Sequence, residues 1–460
     1  MVNVVLFMSD EHNPKYSSTY GHPFVATPNL DRLAAQGTVY ESAYCPSPLC
    51  VPSRSAFMTG RWVHEIQRYN NCKIIEGRFP TYGGVLAEQG VHTVYLGSAA
   101  NLYRDPHALG FSELRLVNVT RRSLNPASIR GPVSRPAAPR TTAESGPRPD
   151  RFAEDVGFVD HAVDWLTGTA PGLGRPWTIT VNVHPPHPPY TADPAGWSRY
   201  RDHGDLPHHG ADHPAAQHPY TQDLRDHGGR DYPDQLVREL RVGYYAAVSY
   251  VDAELGRVID AVERAGLADD TVIMYTTDHG EMLGRYGLWG KCSLAEDSVR
   301  IPIVAAGPGF AAGARVRTPV TLLDLQSSLF HAVGADRPAG WRGSPLQLVA
   351  PDDHERVAFA EYHGPGVRGG GFLIRRGRWK LLHHCAAPHQ LFDLAADPDE
   401  LHDLWDTRPD IVDELEAELH AICDPVVVDR DAEQFQRRQH ATIDSLRASL
   451  PADTREVAWS

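Results

Sequence analysis

Two acids close short apolar runs in this sequence. Asp10 follows the run from Val2 to Met8, Asp278 follows the run from Val272 to Thr277, and Glu11 and His279 are their immediate neighbours. Three carboxylates and an imidazole brought together would suit a hard divalent cation such as Ca²⁺, Mn²⁺ or Mg²⁺. Acids after strands also serve as helix caps and turn formers, so spacing alone leaves both readings open. A third group is the run Cys50-Val51-Pro52-Ser53-Arg54-Ser55-Ala56-Phe57-Met58-Thr59-Gly60-Arg61. A cysteine entering a helix can be a thiol nucleophile activated by the helix N-terminus. It can equally be a small buried residue. Six further histidines, His203, His208, His209, His213, His218 and His227, are scattered among Gly, Pro and Asp. Their irregular spacing reads as a solvated, substrate-covering loop and not as a second metal site. Cys292, beside Lys291, reads as packing.

The elements that must position these groups follow from periodicity. Val2 to Met8 is a continuous apolar, β-branched run, as expected of a strand buried on both faces. Further strands are predicted at Thr38 to Ala43, Val91 to Leu96, Thr178 to Val183, Val272 to Thr277 and Ile301 to Ala306. Leu49 to Gly60 reads as a turn entering a helix, with Pro52 in its first turn, where proline is tolerated. Asp150 is placed to cap a helix with Phe152, Val156, Val159, Val163 and Leu166 on one face. The strongest helical pattern is Leu236, Leu240, Tyr244, Ala247, Val251, Leu255, Val258 and Val262, closed by Gly266. Strands alternating with helices predict an α/β domain around a mostly parallel sheet, in which ligands collect beyond the carboxyl ends of the strands. From about residue 355 the pattern changes to short strands, Phe372 to Arg375 and Trp379 to His383, and a helix at Asp410 to Ile422. The division expected is a catalytic domain over 1–350, with surface excursions near 100–150 and 190–233, and a C-terminal subdomain and tail over 351–460.

Bulk properties exclude several classes. A chain of 460 residues with 42% hydrophobic and 22% charged residues is long enough for a large globular domain with a smaller one attached. A formal charge of -14 gives no electrostatic footprint for nucleic acid or an anionic membrane, so basic residues that bind an anion must act locally. The six cysteines include no CxxC pair, which fits a reducing compartment better than a disulfide scaffold. The N-terminal run lacks the basic region and cleavage site of a signal peptide, and no stretch approaches a membrane span. The expected location is the cytoplasm, where the Asn118-Val119-Thr120 sequon has no role.

The run from Cys50 to Arg61 closely resembles the signature of the type I sulfatases, members of the alkaline phosphatase superfamily. In that family the cysteine of Cys-x-Pro-Ser-Arg is oxidised to formylglycine. The resemblance extends along most of the chain. Met8-Ser9-Asp10-Glu11-His12 looks like the first metal-binding segment, and Thr277-Asp278-His279-Gly280-Glu281-Met282-Leu283-Gly284 like the second. Leu288-Trp289-Gly290-Lys291 supplies the family's lysine, and His187 in Pro-His-Pro-Pro-Tyr its active-site histidine. The segments 374–381 and 391–401 resemble the C-terminal subdomain. The Asp-His pair and the Gly-Leu-Trp-x-Lys string are nearest to choline sulfatases and phosphonate monoester hydrolases, in which an asparagine about twenty residues past the cysteine helps hold the anion. Asn71 stands there.

This resemblance implies an alkaline phosphatase-like α/β/α sandwich with a small C-terminal antiparallel α+β subdomain. It implies hydrolysis of an organic sulfate ester by hydrated formylglycine at position 50, with phosphonate monoester or phosphodiester hydrolysis as the alternative. The implied cofactor is one divalent cation, calcium with manganese or magnesium as alternatives, held by Asp10, Glu11, Asp278, His279 and the modified Cys50. Arg54, Lys291 and Asn71 would hold the anion, and His187 would protonate the leaving oxygen. The implied partners are the ester substrate, a formylglycine-generating enzyme and, in the related branch, further copies of the chain.

One departure stands out. The family carries a Lys-x-His element after the strand at Val91 to Leu96, and this chain has Gly97-Ser98-Ala99-Ala100-Asn101. Substitution by Asn101, Arg104 or His107, a substrate whose leaving group needs less help, and a catalytically impaired relative that binds an anion or a partner are the three readings.

Overall fold

The computed structural model describes residues 1–72, 79–97, 106–116, 126–131 and 144–449. Ser98, Ala100, Asn101, Arg104 and the sequon at 118–120 lie outside them. Among the described residues an eight-stranded sheet forms the centre of the molecule. Its strands are β1 (Asn3–Asp10), β2 (Gly37–Tyr40), β3 (His92–Gly97), β4 (Glu113–Leu116), β5 (Trp177–Pro186), β6 (Thr271–Thr277), β7 (Ile303–Ala306) and β8 (Ala314–Val316), in the spatial order β8-β2-β7-β6-β1-β5-β3-β4. Only β7 runs against its neighbours, β6 and β2; the remaining pairs are parallel.

The period of two along β1 assigns its side chains to two cores. Val4, Leu6 and Met8 join one apolar cluster with Phe57 and Met58 of helix α2 (Cys50–Thr59) and Leu322, Leu325 and Leu329 of α5 (Leu322–Val333). Val5 and Phe7 join the other with α1 (Pro28–Gln36), α3 (Ala153–Gly168) and α4 (Asp234–Arg264). Both faces of the strand are therefore covered, which explains its continuous apolar run and completes an α/β/α sandwich. Helix α4 buries Leu240, Tyr244, Ala247, Val251, Leu255, Val258 and Val262, as its periodicity predicts. Each such Leu or Val contributes about 1.5–3 kcal/mol relative to exposure.

Helix α3 corrects the sequence reading. Its N-cap is Phe152 and not Asp150, and its buried residues are Asp155, Phe158, Val159, Ala162, Trp165 and Leu166. Val156 and Val163 sit only at the margin of the core, because the bulky Phe158 and Trp165 claim the inward direction. The stretch from 193 to 233 is likewise not all loop: it contains helices Pro194–Tyr200 and Pro219–Gly228.

A second sheet of four consecutive antiparallel strands follows: β9 (Val357–Tyr362), β10 (Gly371–Arg376), β11 (Trp379–His384) and β12 (Gln390–Asp393). Helix α6 (Pro409–Ile422) packs on it through Val412, Leu415 and Leu419, and α7 (Pro425–Ser449) follows. The long α7 replaces what reads in sequence as a short tail. Among the described residues no helix is long and apolar enough to cross a membrane.

Candidate active site

Parallel register brings the two acids together. Ser9 of β1 lies opposite Thr277 of β6, so the next residues, Asp10 and Asp278, stand side by side at the sheet's carboxyl edge. Neither acts as a helix cap. Glu11 then turns back with a φ of 71°, a left-handed conformation rare outside glycine. That turn is pinned: Glu11 N donates to Asp278 Oδ1 (3.2 Å), His12 N to Thr277 Oγ1 (3.1 Å), and the Tyr244 hydroxyl to the Glu11 carbonyl (2.8 Å).

Cys50 heads α2, and Gly60 ends that helix with a φ of 61°. A Cβ at Gly60 would strike the Trp341 ring, so the helix stop is also a close contact. The Cys50 Sγ lies 3.2 Å from His279 Nε2 and 3.0 Å from Lys291 Nζ, and the same Nζ donates to Glu11 Oε2 at 2.9 Å. His187 Nε2 is 3.5 Å from Glu11 Oε2, while its Nδ1 donates to the Pro188 carbonyl at 2.8 Å. Ligand atoms of Asp10, Cys50, Asp278 and His279 all lie within 4.8 Å of one another. His279 Nδ1 donates to the Gly280 carbonyl (3.0 Å), which leaves Nε2 as the nitrogen available to a ligand.

Arg54 is placed differently from the sequence expectation. It is buried behind the carboxylates, with Nε donating to Asp278 Oδ2 (2.8 Å), Nη2 to Asp10 Oδ2 (3.0 Å) and Nη1 to Asn182 Oδ1 (2.9 Å). Its immediate work is to hold the two acids. Asn71 also has a local task, because its Oδ1 accepts from Val51 N at 3.0 Å and steadies the start of α2.

The charges are unevenly compensated. Burial raises the Asp10 carboxyl, but Arg54 and then Lys291 outweigh it and hold it at about 2. For Glu11, burial outweighs Lys291, and with Glu281 adding repulsion its carboxyl is pushed up to about 8. Burial also pushes the Cys50 thiol up to about 12, against the pull of Lys291. Three buried carboxylate oxygens, Asp10 Oδ1, Glu11 Oε1 and Glu281 Oε2, have no hydrogen-bond partner. The clustered ligand atoms of Asp10, Cys50, Asp278 and His279, with an unpartnered oxygen on Asp10, fit a hard divalent cation.

Three neighbours escape sequence reasoning. Asn182 on β5 locks Arg54 and donates to the Leu96 carbonyl at 2.9 Å. Glu281, next to Glu11, accepts from the backbone of Leu283 (2.7 Å) and Gly290 (2.6 Å). His184 is exposed, its ring centroid 4.3 Å from that of His187. The alternating pattern of β5 marks inward positions but not which polar residue meets a charge.

The sequence matches the family described as Sulfatase over residues 2–335. The chain is a member of the sulfatase family. Its sulfatase segment is overlapped by a match over residues 284–424 to the family N-sulphoglucosamine sulphohydrolase, C-terminal. The sulfatase is 30% identical over 464 residues to a choline-sulfatase of Rhizobium meliloti (strain 1021), covering 94% of this chain and 88% of that one. It is 27% identical over 476 residues to arylsulfatase K of Danio rerio, covering 95% and 86%. Its fold matches a phosphonate monoester hydrolase from Silicibacter pomeroyi with a TM-score of 0.74 at 22% identity, covering 92% and 94%. The fold and enzyme class expected from the signature are thus established: the sulfatase is a sulfuric ester hydrolase with an alkaline phosphatase-like core.

Proposed function

We propose that this sulfatase hydrolyses a small or medium organic sulfate ester at Cys50, matured to formylglycine by a formylglycine-generating enzyme. The observation that supports this most is the position of the Cys50 Sγ between His279 Nε2 and Lys291 Nζ, at the edge of a carboxylate cluster with unpartnered oxygens. Burial, with the neighbouring carboxylates, holds the thiol protonated against the pull of Lys291, so a working thiolate is the poorer reading.

Asp10, Glu11, Asp278 and His279, with the modified residue 50, are the proposed ligands of one divalent cation, calcium in the first instance. When bound, the cation supplies Lewis-acid polarisation and eases ionisation of a hydroxyl, and formylglycine supplies a pair of geminal hydroxyls. The remaining work belongs to the chain. Arg54 fixes Asp10 and Asp278 in place. Lys291, shared between Glu11 and residue 50, offers its remaining donor to an anionic oxygen in a site where such a charge is poorly screened. Asn71 steadies the backbone at Val51, next to residue 50. His187 presents an imidazole to the substrate from the rim. The reading of an impaired relative loses ground, because the acids, Lys291 and Cys50 all converge.

The catalytic unit is proposed to span 1–350, the sheet that begins at Val357 being a separate subdomain. A cytoplasmic location remains the proposal from cysteine usage, and none of the six cysteines forms a disulfide. Side-by-side turnover of matched aryl sulfate and aryl phosphonate esters tests the ester class. Faster sulfate hydrolysis is expected, and a clear preference for the phosphonate would overturn it.

A further inference from the structure

We propose that a cavity beside the four-stranded sheet binds a small organic anion through Arg300 and Arg375. This second site is independent of which ester the active site cleaves. Its volume is about 850 Å³, within the range of small-molecule sites. None of the proposed catalytic or cation-binding residues lines it.

Local structure brings the two arginines together. Tyr44, on the short strand Ala43–Tyr44, forms an antiparallel bridge with Arg300, which directly follows the short helix Glu296–Val299. Arg375 reaches the same tyrosine from β10. It is only 7% exposed, with Nε donating to the Tyr44 hydroxyl (3.0 Å) and Nη1 to the Trp379 carbonyl (3.2 Å). Arg300 Nε donates to the Glu41 carbonyl at 2.9 Å, and its guanidinium carbon lies 5.7 Å from the centre of the Tyr20 ring. These contacts fix both guanidinium planes. Among the described residues they leave Arg375 Nη2 and both Arg300 Nη atoms without a hydrogen bond, and neither arginine forms an ion pair. None of those three nitrogens is sealed within the protein, so they open towards the cavity that both side chains line.

The acids around the cavity are already engaged. Glu296 accepts from Lys380 (2.9 Å) and from the Tyr44 hydroxyl (3.2 Å); Arg300 and Arg375 support its charge without bonding to its carboxylate. Glu41 accepts from Arg315 at 2.7 Å, and Asp352 pairs with Arg317 at 3.4 Å. Arg376 and Arg378 are likewise taken up, by Glu414 and Asp393. What remains is a pair of fixed cations with unused N–H groups. Such edges match the oxygens of a phosphate, sulfate or carboxylate head. Trp379, Leu394 and Pro398 line the same cavity and offer apolar surface to an organic body.

Calorimetry on the full chain in chelator, with phenyl phosphate, benzoate, inorganic phosphate and benzyl alcohol as probes, tests the assignment. Phenyl phosphate is expected to show a binding event that survives Lys291→Ala, which removes the active-site lysine. The same event should weaken about 10–100-fold in Arg300→Gln. Inorganic phosphate should compete for the site more weakly, benzyl alcohol should not bind, and benzoate against phenyl phosphate identifies the preferred head. Arg300→Gln should retain wild-type turnover. Absence of this event, or an event lost in Lys291→Ala and unchanged in Arg300→Gln, overturns the proposal. Equal affinity for inorganic phosphate and phenyl phosphate overturns its organic half. If Arg300→Gln does not fold, phenylglyoxal labelling of the wild type serves instead. Phenyl phosphate should then protect Arg300 in the peptide map, and labelling at an unchanged rate contradicts the site.

Discussion

Two of the buried clusters of charge in the sulfatase are finished in different ways. Beside the four-stranded sheet, Lys380 of β11 donates to Glu296 Oε1 (2.9 Å) and Glu400 Oε1 (2.6 Å). Glu296 Oε2 accepts from the Tyr44 hydroxyl at 3.2 Å, and Glu400 Oε2 from the backbone N of Glu296 at 2.9 Å. All four carboxylate oxygens are satisfied. The active site has Arg54 and Lys291 at hand, yet Asp10 Oδ1 and Glu11 Oε1 remain without partners. A buried ionic group without a partner is costly. Completeness therefore separates the two clusters better than charge does: the closed one holds the fold, and the open one is shaped for something the chain does not supply.

Substitutions at each cluster should give opposite signatures. Lys380→Met strands two glutamates and is expected to destabilise the protein by about 3–5 kcal/mol in a denaturant titration, while the turnover of molecules still folded persists. Equal stability of variant and wild type would dissolve the contrast. Asp278→Asn should cut kcat/KM by at least about 10²–10³-fold, the loss expected on removing one electrostatic stabiliser. Ca²⁺ at about 100 times its Kd should stabilise wild type and Lys380→Met alike by about 2.7 kcal/mol. Asp278→Asn should gain less, and an equal gain would place the cation elsewhere.

The most gradual effect is a slope with pH, at most about 1.4 kcal/mol per pH unit for one proton. Between the ordinary glutamate value of 4.5 and about 8, folded Glu11 keeps a proton that the unfolded chain has released. Stability in chelator should therefore fall as pH rises through that window, and added cation should flatten the fall. Glu296 behaves in the reverse sense. Burial raises its carboxyl, but Lys380, Arg300 and Arg375 outweigh it and hold it below 4.5. Its contribution is present above that value and is lost as the solution is acidified through the folded-state pKa. Urea titrations across pH, with and without Ca²⁺, read both slopes.

Much of the site was legible because its parts are local. An apolar strand ending in an acid, twice, and a cysteine run entering a helix place Asp10, Asp278 and Cys50 at one sheet edge once the strands are parallel. The strand direction of β7 was not legible, since an apolar run looks the same in either orientation. Helix α7 was missed because its sequence is mostly polar and its few buried residues, among them Val428, Ala432 and Ile443, are widely spaced. The orientation of Arg54 and the convergence of Asn182, Glu281 and His184 depend on tertiary contacts between β1, α2, β5 and the segment after β6. The Ser98-to-Asn101 departure is visible in the sequence alone. What the structure adds is an exposed imidazole on the adjacent strand.

The central claim is that Cys50 is a precursor and not a working thiol. Peptide mass spectrometry of the segment around Cys50, on active protein purified from its native host, tests it most directly. The expected result is an aldehyde or its hydrate at position 50, in a fraction that follows specific activity from one preparation to the next. An intact thiol at position 50 in fully active enzyme would contradict the account.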